Sequence, residues 1–358
     1  MKKLVLLAVI LVFGQCHERA NAQNYRIVDD LSSVRDSTLV CTRVYTLNGP
    51  IGKHPELIGF APIPPSITGQ KDATLKVEVI GAAQFETTVV KELSAQHRLF
   101  NKLVIHPDQA GSPITVRWIY NAKLTSRKAV PSKSRLTSSE IVQPYVTNPN
   151  PALIDITSNE LKAFAERCGL IRSPHEAPAE FEWRSLRTLP RQLTYVHKDD
   201  QNLKASYLTK LPSPIPTDCG GYALLSVAIS TVNNISSDVR MGRWVIPKTN
   251  ETGPHVQYQF YDPYTKDYWI VDPTCSRDQP ESALPNFFGN WQNNFLTTML
   301  GTDALVDTVR FGVQSIPWGS PAVWISDCYY GFGDTEKWTA SSSPVPEPKS
   351  NAQQIDNR

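Results

Sequence analysis

A period-two alternation that recurs between residues 37 and 130 constrains the fold more than any other feature. In "TLKVEVI", residues 74–80, Leu75, Val77 and Val79 fall on one face, and charged side chains lie between them. This is the pattern of a half-buried strand. Similar runs, "STLVCTRVYTL", "QFETTVVKEL", "NKLVIHPD" and "PITVRWIYNAKL", are separated by turn residues. Five or more such strands predict an N-terminal antiparallel β-sandwich.

A second unit follows a proline-rich segment, "VQPYVTNPNPALID", that breaks regular structure. "TSNELKAFAERCG" begins with a capping-box pattern and ends at Gly169, which predicts a helix. A proline-interrupted helical stretch and the strand-like runs "RMGRWVIP", "HVQYQFYD" and "DYWIVDPT" come next. The mixture predicts an α+β second domain.

The length of 358 residues suits two domains, each large enough for its own core. The sequence therefore predicts a signal peptide at residues 1–22, a β-sandwich domain at 23–145, a linker at 146–153, a second domain at 154–340 and a disordered tail at 341–358. The tail, "SSSPVPEPKSNAQQIDNR", has too few apolar residues to form a core.

The first residues carry an export signal. Two lysines precede an apolar run from Leu4 to Gly14, and Ala20-Asn21-Ala22 matches the small-residue pattern at a cleavage site. We expect a periplasmic or secreted protein. The alternative is a lipoprotein attached through Cys16. No other stretch approaches the roughly 20 apolar residues that a membrane-spanning helix needs.

Charge and cysteine content narrow the function further. Residues 1–22 hold three of the 36 basic and one of the 34 acidic side chains, so the mature chain has 33 of each and is near neutral. Because basic clusters with interleaved aromatics are missing, no nucleic-acid partner is predicted. No CxxC motif or Cys/His pair at zinc spacing occurs, so no metal or cofactor is predicted.

The mature chain would keep Cys41, Cys168, Cys219, Cys275 and Cys328, an odd number in a compartment where disulfides persist. At least one thiol therefore cannot pair within the chain. If Cys219 stays reduced, the other four are even in number. One bridge among Cys168, Cys275 and Cys328 is possible, and the pairing is left open.

Cys219 stands in "PTDCGGYALLSVAISTVNN", where Thr217 or Asp218 can cap a helix whose first turn holds the thiol. Free amides and the positive end of the helix dipole at such a terminus favour thiolate over thiol. Gly220 and Gly221 let a substrate backbone approach, and the same amides can hold the oxyanion that forms when a carbonyl is attacked.

Two further residues are candidates for the general base and for the residue that orients it, with Cys219 as the nucleophile. His255 begins the strand-like run "HVQYQFYD", and Asp272 ends "YWIVDPT". If these runs pair as a hairpin across "DPYTKDY", the head of the first lies beside the tail of the second. His255 can then accept the thiol proton while Asp272 fixes the tautomer of the imidazole.

With these residues in view, the chain resembles the transglutaminase-like domains of the papain-like thiol enzymes. The resemblance rests on "DCGGYALLSVAI", "SSDVRMGRW", "HVQYQFYD" and "YWIVDPT", in this order, and covers about residues 154–274. It implies a papain-like α+β core, a catalytic triad of Cys219, His255 and Asp272, and a protein or peptide substrate. An N-terminal β-sandwich before such a core is also found in this family.

The resemblance has departures and gaps. Gln257 and Gln259 stand where the family often has Trp and Glu, so the resemblance does not indicate which substrate the protein selects. The side chain that contributes to the oxyanion hole lies upstream in such enzymes, and Gln192 and Tyr195 are the candidates here, beside Gly220. No calcium-loop pattern is present. The oligomeric state is not predicted.

The expected function is that of an exported thiol enzyme. Cys219 attacks a peptide or glutamine carboxamide carbonyl and forms a thioester, which ends in hydrolysis or in amine transfer. The sequence leaves that branch open. The alternative is a non-catalytic protein of transglutaminase fold that binds protein or glycan.

Overall fold

The computed structural model describes residues 25–47, 51–81, 83–94, 96–107, 111–131, 155, 157–197, 204–246, 252–328 and 332–345. The predicted signal peptide, the linker at 146–153 and most of the predicted tail lie outside these ranges. In the described part of the chain, no helix has the length and apolar character needed to cross a membrane.

Strands dominate the described residues. They are β1 Tyr25–Leu47, β2 Ile51–Pro62, β3 Gln70–Ile80, β4 Ala83–Lys91, β5 Leu99–Pro107, β6 Ile114–Pro131, β7 Leu193–Tyr195, β8 Ile215–Thr217, β9 Ser237–Trp244, β10 Pro254–Asp262, β11 Asp267–Val271, β12 Phe295–Leu300, β13 Ala304–Asp307, β14 Val313–Ile316, β15 Ala322–Cys328 and β16 Phe332–Pro344. The α-helices are α1 Asn159–Arg167, α2 Pro178–Thr188, α3 Ala205–Leu208, α4 Cys219–Val232 and α5 Pro273–Ser276. Short 3-10 helices lie at Leu189–Gln192, Glu281–Phe287 and Pro317–Gly319.

The N-terminal strands form the predicted antiparallel β-sandwich. One sheet has the order β16-β1-β6-β3 and the other β15-β2-β5-β4. Apolar side chains from both sheets, among them Leu39, Leu103 and Trp118, are fully buried between them. The alternation seen in the sequence thus reflects one face packed inward and one left outward.

Strand β2 shows no period-two pattern in the sequence, because residues 57–62 are buried on both faces. Leu57 and Ala61 face the core of the sandwich, whereas Ile58 and Phe60 pack into the core of the second unit. One strand therefore belongs to both cores.

The C-terminal strands correct the predicted domain boundary at residue 340. β15 pairs with β2, and β16 pairs with β1 along its whole length, with Trp338 opposite Cys41. Residues 322–328 and 332–344 therefore complete the sandwich, including Ser341–Pro344 of the predicted tail. This pairing joins residues about 300 positions apart, and no local pattern in "TEKWTASSS" reveals it.

The second unit has the predicted α+β character. Helix α4 packs on an antiparallel sheet of order β11-β10-β9-β12. Residues 220–230 of this helix are all buried, as expected for a helix that is apolar around its circumference. Helix α1 begins at the predicted place, where the Ser158 hydroxyl accepts a hydrogen bond from the amide of Leu161.

Buried polar contacts hold the two units together. The Gln70 side chain on β3 exchanges two hydrogen bonds with the backbone of Thr297 on β12, at 2.8 and 2.9 Å. The guanidinium of Arg98 donates to the carbonyl oxygens of Leu300 and Thr302, at 2.7 and 2.8 Å. The sheet that carries the candidate site is thereby fixed on the sandwich.

Cys41, Cys168, Cys219 and Cys275 are free thiols. A bridge between Cys168 and Cys275, one of the pairings left open by the sequence, is therefore not formed. The side chain of Cys328 lies outside the described part. Burial raises the pKa of the Cys41 thiol far above its usual range, as expected for a cysteine that serves as a core residue.

Glu182 is a buried acidic residue in the core of the second unit, and its ionisation affects the stability of the fold. It is fully buried on α2 and accepts a hydrogen bond from the Tyr258 hydroxyl at 2.9 Å. Burial raises the pKa of this carboxyl to about 7. Between about pH 4.5 and 7 the folded chain keeps a proton that the unfolded chain has lost, so the free energy of unfolding falls by about 3 kcal/mol as the pH rises.

We expect Glu182→Gln to remove this pH dependence, because glutamine keeps a hydrogen bond to Tyr258 but cannot ionise. Urea unfolding at pH 5 and pH 8 measures the free energy of unfolding of both proteins. The wild-type protein should lose about 2 kcal/mol more stability between these pH values than the variant. The same loss in both proteins would show that Glu182 is not the group that titrates.

Candidate active site

Cys219 is the first residue of α4 and is partly exposed, whereas the residues after it are buried. Asp218 caps the helix, and its Oδ1 accepts a hydrogen bond from the amide of Gly221 at 3.2 Å. Strand β8 leads into this cap and pairs in parallel with β7, with Thr217 opposite Tyr195. The thiol thus sits where a buried, rigid helix meets the surface, as the sequence predicts.

Gly221 is required by close packing. A Cβ atom at this position would lie 1.8 Å from the Oγ1 of Thr217, far inside contact distance. We expect Gly221→Ala to destabilise the fold by about 2 kcal/mol, because this overlap outweighs the gain of about 1 kcal/mol in helix propensity. Thermal unfolding measures the effect. Gly333→Ala is the control, since its Cβ would meet no atom closer than 3.9 Å; equal stability of the two variants would contradict the packing argument.

His255 and Asp272 meet as the predicted hairpin requires. Strands β10 and β11 pair antiparallel, with Tyr258 opposite Val271. The Nε2 of His255 lies 2.7 Å from the Oδ2 of Asp272, and both side chains are buried. The amide of Cys275 donates to the Oδ1 of Asp272 at 2.9 Å. The carboxylate is therefore held from two sides.

Gln257 and two aromatic rings fix this pair. The Nε2 of Gln257 donates to the Oδ2 of Asp272 at 3.0 Å. The Trp244 ring stacks on the imidazole of His255 at 4.9 Å between centroids, and Phe295 meets the imidazole edge-on at 6.0 Å. These contacts leave the imidazole little freedom to rotate.

The opposite charges of His255 and Asp272 stabilise each other. Burial opposes a charge on His255, but the Asp272 carboxylate and hydrogen bonds with Cys219 and Cys275 raise the pKa of the imidazole well above its usual range. Burial likewise opposes ionisation of Asp272, and His255 lowers the pKa of that carboxyl overall. Since Nε2 faces Asp272, Nδ1 is the ring nitrogen left for Cys219.

The sequence does not predict Cys275 at this site, because its pattern indicates only a possible disulfide partner. Its Sγ lies 3.9 Å from the Nε2 of His255. The only signal was its position three residues after Asp272, in the turn of α5 that Asp272 caps. Trp244 and the contact of Gln257 with Asp272 were also missed, although alternation along β10 places Gln257 on the same face as His255.

The other predicted residues are placed as follows. Gly220 is buried in the first turn of α4, and the amides of Gly220 and Gly221 both face the carboxylate of Asp218. Tyr195 is exposed, and desolvation of its hydroxyl together with the charges of Cys219 and Asp218 raises the pKa of that hydroxyl. It lies opposite Thr217, two residues before the thiol. Gln192 instead accepts a hydrogen bond from the Ser213 hydroxyl at 3.2 Å.

Comparisons with solved structures give three distant similarities. A candidate cysteine protease from Cytophaga hutchinsonii is 9% identical with a TM-score of 0.45, over 89% of this chain and 100% of that one. The periplasmic domain of TgpA from Pseudomonas aeruginosa, bound to ethylmercury, is 12% identical with a TM-score of 0.28, over 67% of this chain and 91% of that one. A candidate protease from Parabacteroides distasonis is 10% identical with a TM-score of 0.22, over 57% and 63%.

No protein-family profile matches the chain, and no curated protein matches it. At these identities and TM-scores, the similarities do not define an activity. The class of fold follows from the order of elements. A cysteine begins the central helix, a histidine begins a strand of the sheet, and an aspartate follows the next strand. This is the order of elements that the sequence resemblance to transglutaminase-like domains predicts.

Proposed function

We propose that this protein is a thiol enzyme that attacks amide carbonyls, with Cys219 as nucleophile, His255 as general base and acid, and Asp272 as orienting residue. One observation carries the proposal: the imidazole of His255 is hydrogen-bonded through Nε2 to the buried Asp272 at 2.7 Å, and the thiol that begins α4 is among the groups that raise the pKa of this imidazole. A protein that only binds its partner has no physical need for this buried pair beside an accessible thiol.

The chemistry follows from the two ring nitrogens of the imidazole, which have different partners. Nδ1 accepts the proton of the Cys219 thiol as the sulfur attacks the carbonyl carbon, and the Asp272 carboxylate stabilises the imidazolium that forms. His255 then gives this proton to the leaving nitrogen, the C–N bond breaks, and a thioester remains. Water or an amine resolves the thioester and restores the thiol, which yields hydrolysis or amine transfer.

The oxyanion of the tetrahedral intermediate needs hydrogen-bond donors. We assign one to the backbone N–H of Cys219, because the first amides of a helix have no intrahelical acceptor. The amides of Gly220 and Gly221 are directed at Asp218 and are not available in the same way. The Tyr195 hydroxyl is the side-chain candidate, since Gln192 contacts Ser213 instead.

We propose a protein or peptide substrate and export from the cell, the latter from the N-terminal sequence pattern alone. The thiol is partly exposed at the surface end of α4. The Arg277 guanidinium stacks on the Tyr195 ring at 4.5 Å and provides a cation and an aromatic surface beside the nucleophile. An extended backbone could pack against such a surface.

Incubation with casein and a labelled primary amine tests the proposal. New peptide termini identify hydrolysis, and amine incorporation identifies transfer. Either activity should be lost on prior alkylation of Cys219. If neither activity appears and Cys219 is also unreactive towards alkylating agents, the non-catalytic alternative that binds protein or glycan is favoured.

A further inference from the structure

A third potential metal ligand lies beside the His255–Asp272 pair. One ligand atom each from His255, Asp272 and Cys275 lie within 4.8 Å of one another. The proposed reaction uses the first two residues and has no role for Cys275. Imidazole, carboxylate and thiolate are the three side-chain groups that bind Zn²⁺.

The spacing of these atoms is close to that of a tetrahedral site. Bond lengths of about 2.0–2.3 Å place neighbouring ligand atoms about 3.3–3.6 Å apart. Here Nε2 of His255 lies 2.7 Å from Oδ2 of Asp272 and 3.9 Å from Sγ of Cys275. The two distances from Nε2 differ from these values by about 0.3–0.6 Å, and the distance between the Asp272 oxygen and the Cys275 sulfur by at most about 1.2 Å, so side-chain rotations would admit a cation.

An independent feature points to a ligand at this place. A cavity of about 120 Å³ is lined by Gln257, Asp272, Cys275 and Trp244, among others. The side chain of Gln257 is 95% buried, and its Oε1 has no hydrogen-bond partner among the described residues. A water bound to the cation could occupy this cavity and donate to that oxygen, which would complete a fourth coordination position.

We propose that His255, Asp272 and Cys275 bind Zn²⁺ or a similar divalent cation, and that this cation inhibits the thiol enzyme; the inhibition, but not the binding, rests on the proposed function. From the imidazolium state, binding forms bonds to Nε2 and Sγ and releases the Nε2 proton and the Cys275 thiol proton to solvent. One carboxylate and one thiolate then balance the two charges of the cation. Binding therefore weakens as the pH falls.

Inhibition follows from the chemistry of the coordinated ring. An imidazole bound through Nε2 keeps its remaining proton on Nδ1, the nitrogen that accepts the Cys219 proton in the proposed reaction. It can no longer accept the thiol proton, and its hydrogen bond to the Asp272 carboxylate is lost. The cation thus removes the base without contacting the nucleophile.

Titration of the reduced, full-length protein with Co²⁺ tests the site, because a cobalt–thiolate bond absorbs in the near ultraviolet. Wild type and Cys219→Ala should both bind one equivalent and show the absorption, and Zn²⁺ should displace it. Cys275→Ser should lose the absorption and bind at least about tenfold more weakly. Cys168→Ser, at a partly buried cysteine outside the site, is the matched control and should behave as wild type.

The proposal is overturned if wild type shows no such absorption at one equivalent, or if the absorption is lost in Cys219→Ala and kept in Cys275→Ser. Thermal unfolding establishes that Cys275→Ser is folded, and Cys275→Ala replaces it if it is not. Binding without any enzymatic activity would refute only the proposed function. A reactive Cys219 in a protein that does not bind the cation would refute only the metal site.

Discussion

Replacement of Cys219 by alanine is expected to lower peptide hydrolysis or amine incorporation by about four to six orders of magnitude, to background. The reason is that Cys219 begins the buried helix α4, whereas Cys275, the other described thiol beside the imidazole, has a pKa that burial raises. The free energy of unfolding should change by less than about 1 kcal/mol, because the side chain is small and partly exposed. Rates with casein and a labelled amine, together with urea unfolding, measure both effects.

The matched control is Cys168→Ala, which removes a partly buried thiol from the end of α1 and should leave activity unchanged. Retention of more than a hundredth of the wild-type rate in Cys219→Ala would show that another group supplies the nucleophile.

Asp272→Asn is expected to lower the same rate by about 10³- to 10⁴-fold. The amide nitrogen would donate to Nε2 of His255, so that the ring proton moves to Nδ1 and the imidazole can no longer accept a proton from Cys219. Without the carboxylate, burial lowers the pKa of His255. The cap of α5 is kept, because the amide oxygen can still accept from the amide of Cys275.

The pH profile separates this positioning role from a general loss of structure. The residual rate of Asp272→Asn should rise with pH, as hydroxide replaces the imidazole as base, whereas an unfolded fraction would lower the rate at every pH by the same factor. Asp72→Asn, at an exposed carboxylate of the sandwich that pairs with Lys123, is the control. A rate within tenfold of wild type in Asp272→Asn would rule out the orienting role.

The parts of the fold that the sequence predicts are those with a local signal. Alternation identifies β1, β3, β5 and β6, since one face of each is turned towards the core, and it also identifies β4, although the described side chains of that strand are largely exposed. The capping pattern identifies α1, and the proline at 190 marks the end of the helical stretch around α2. Strand β2 escapes because both of its faces are buried, and β16 because its partner β1 lies about 300 residues away. Burial on two faces and long-range pairing leave no period in the sequence.

The candidate site also has residues that a local sequence pattern predicts and residues that it does not. The contact between His255 and Asp272 is predictable because a hairpin connects them, and Cys219 because a cap and a helix start surround it. Cys275, Trp244 and the contact of Gln257 depend on how α5, β9 and β10 pack in three dimensions. The direction of the Gly220 and Gly221 amides towards Asp218 depends on the local backbone at the cap, which residue identity alone does not determine.

The proposed mechanism makes one central claim: His255 activates the thiol of Cys219. The most direct measurement is the rate of iodoacetamide alkylation of each cysteine at pH 6, determined by mass spectrometry in wild type and in His255→Ala under reducing conditions. We predict that Cys219 reacts at least about tenfold faster in wild type than in the variant, while the rate at Cys168 is the same in both. Equal rates at Cys219 in the two proteins would contradict the claim.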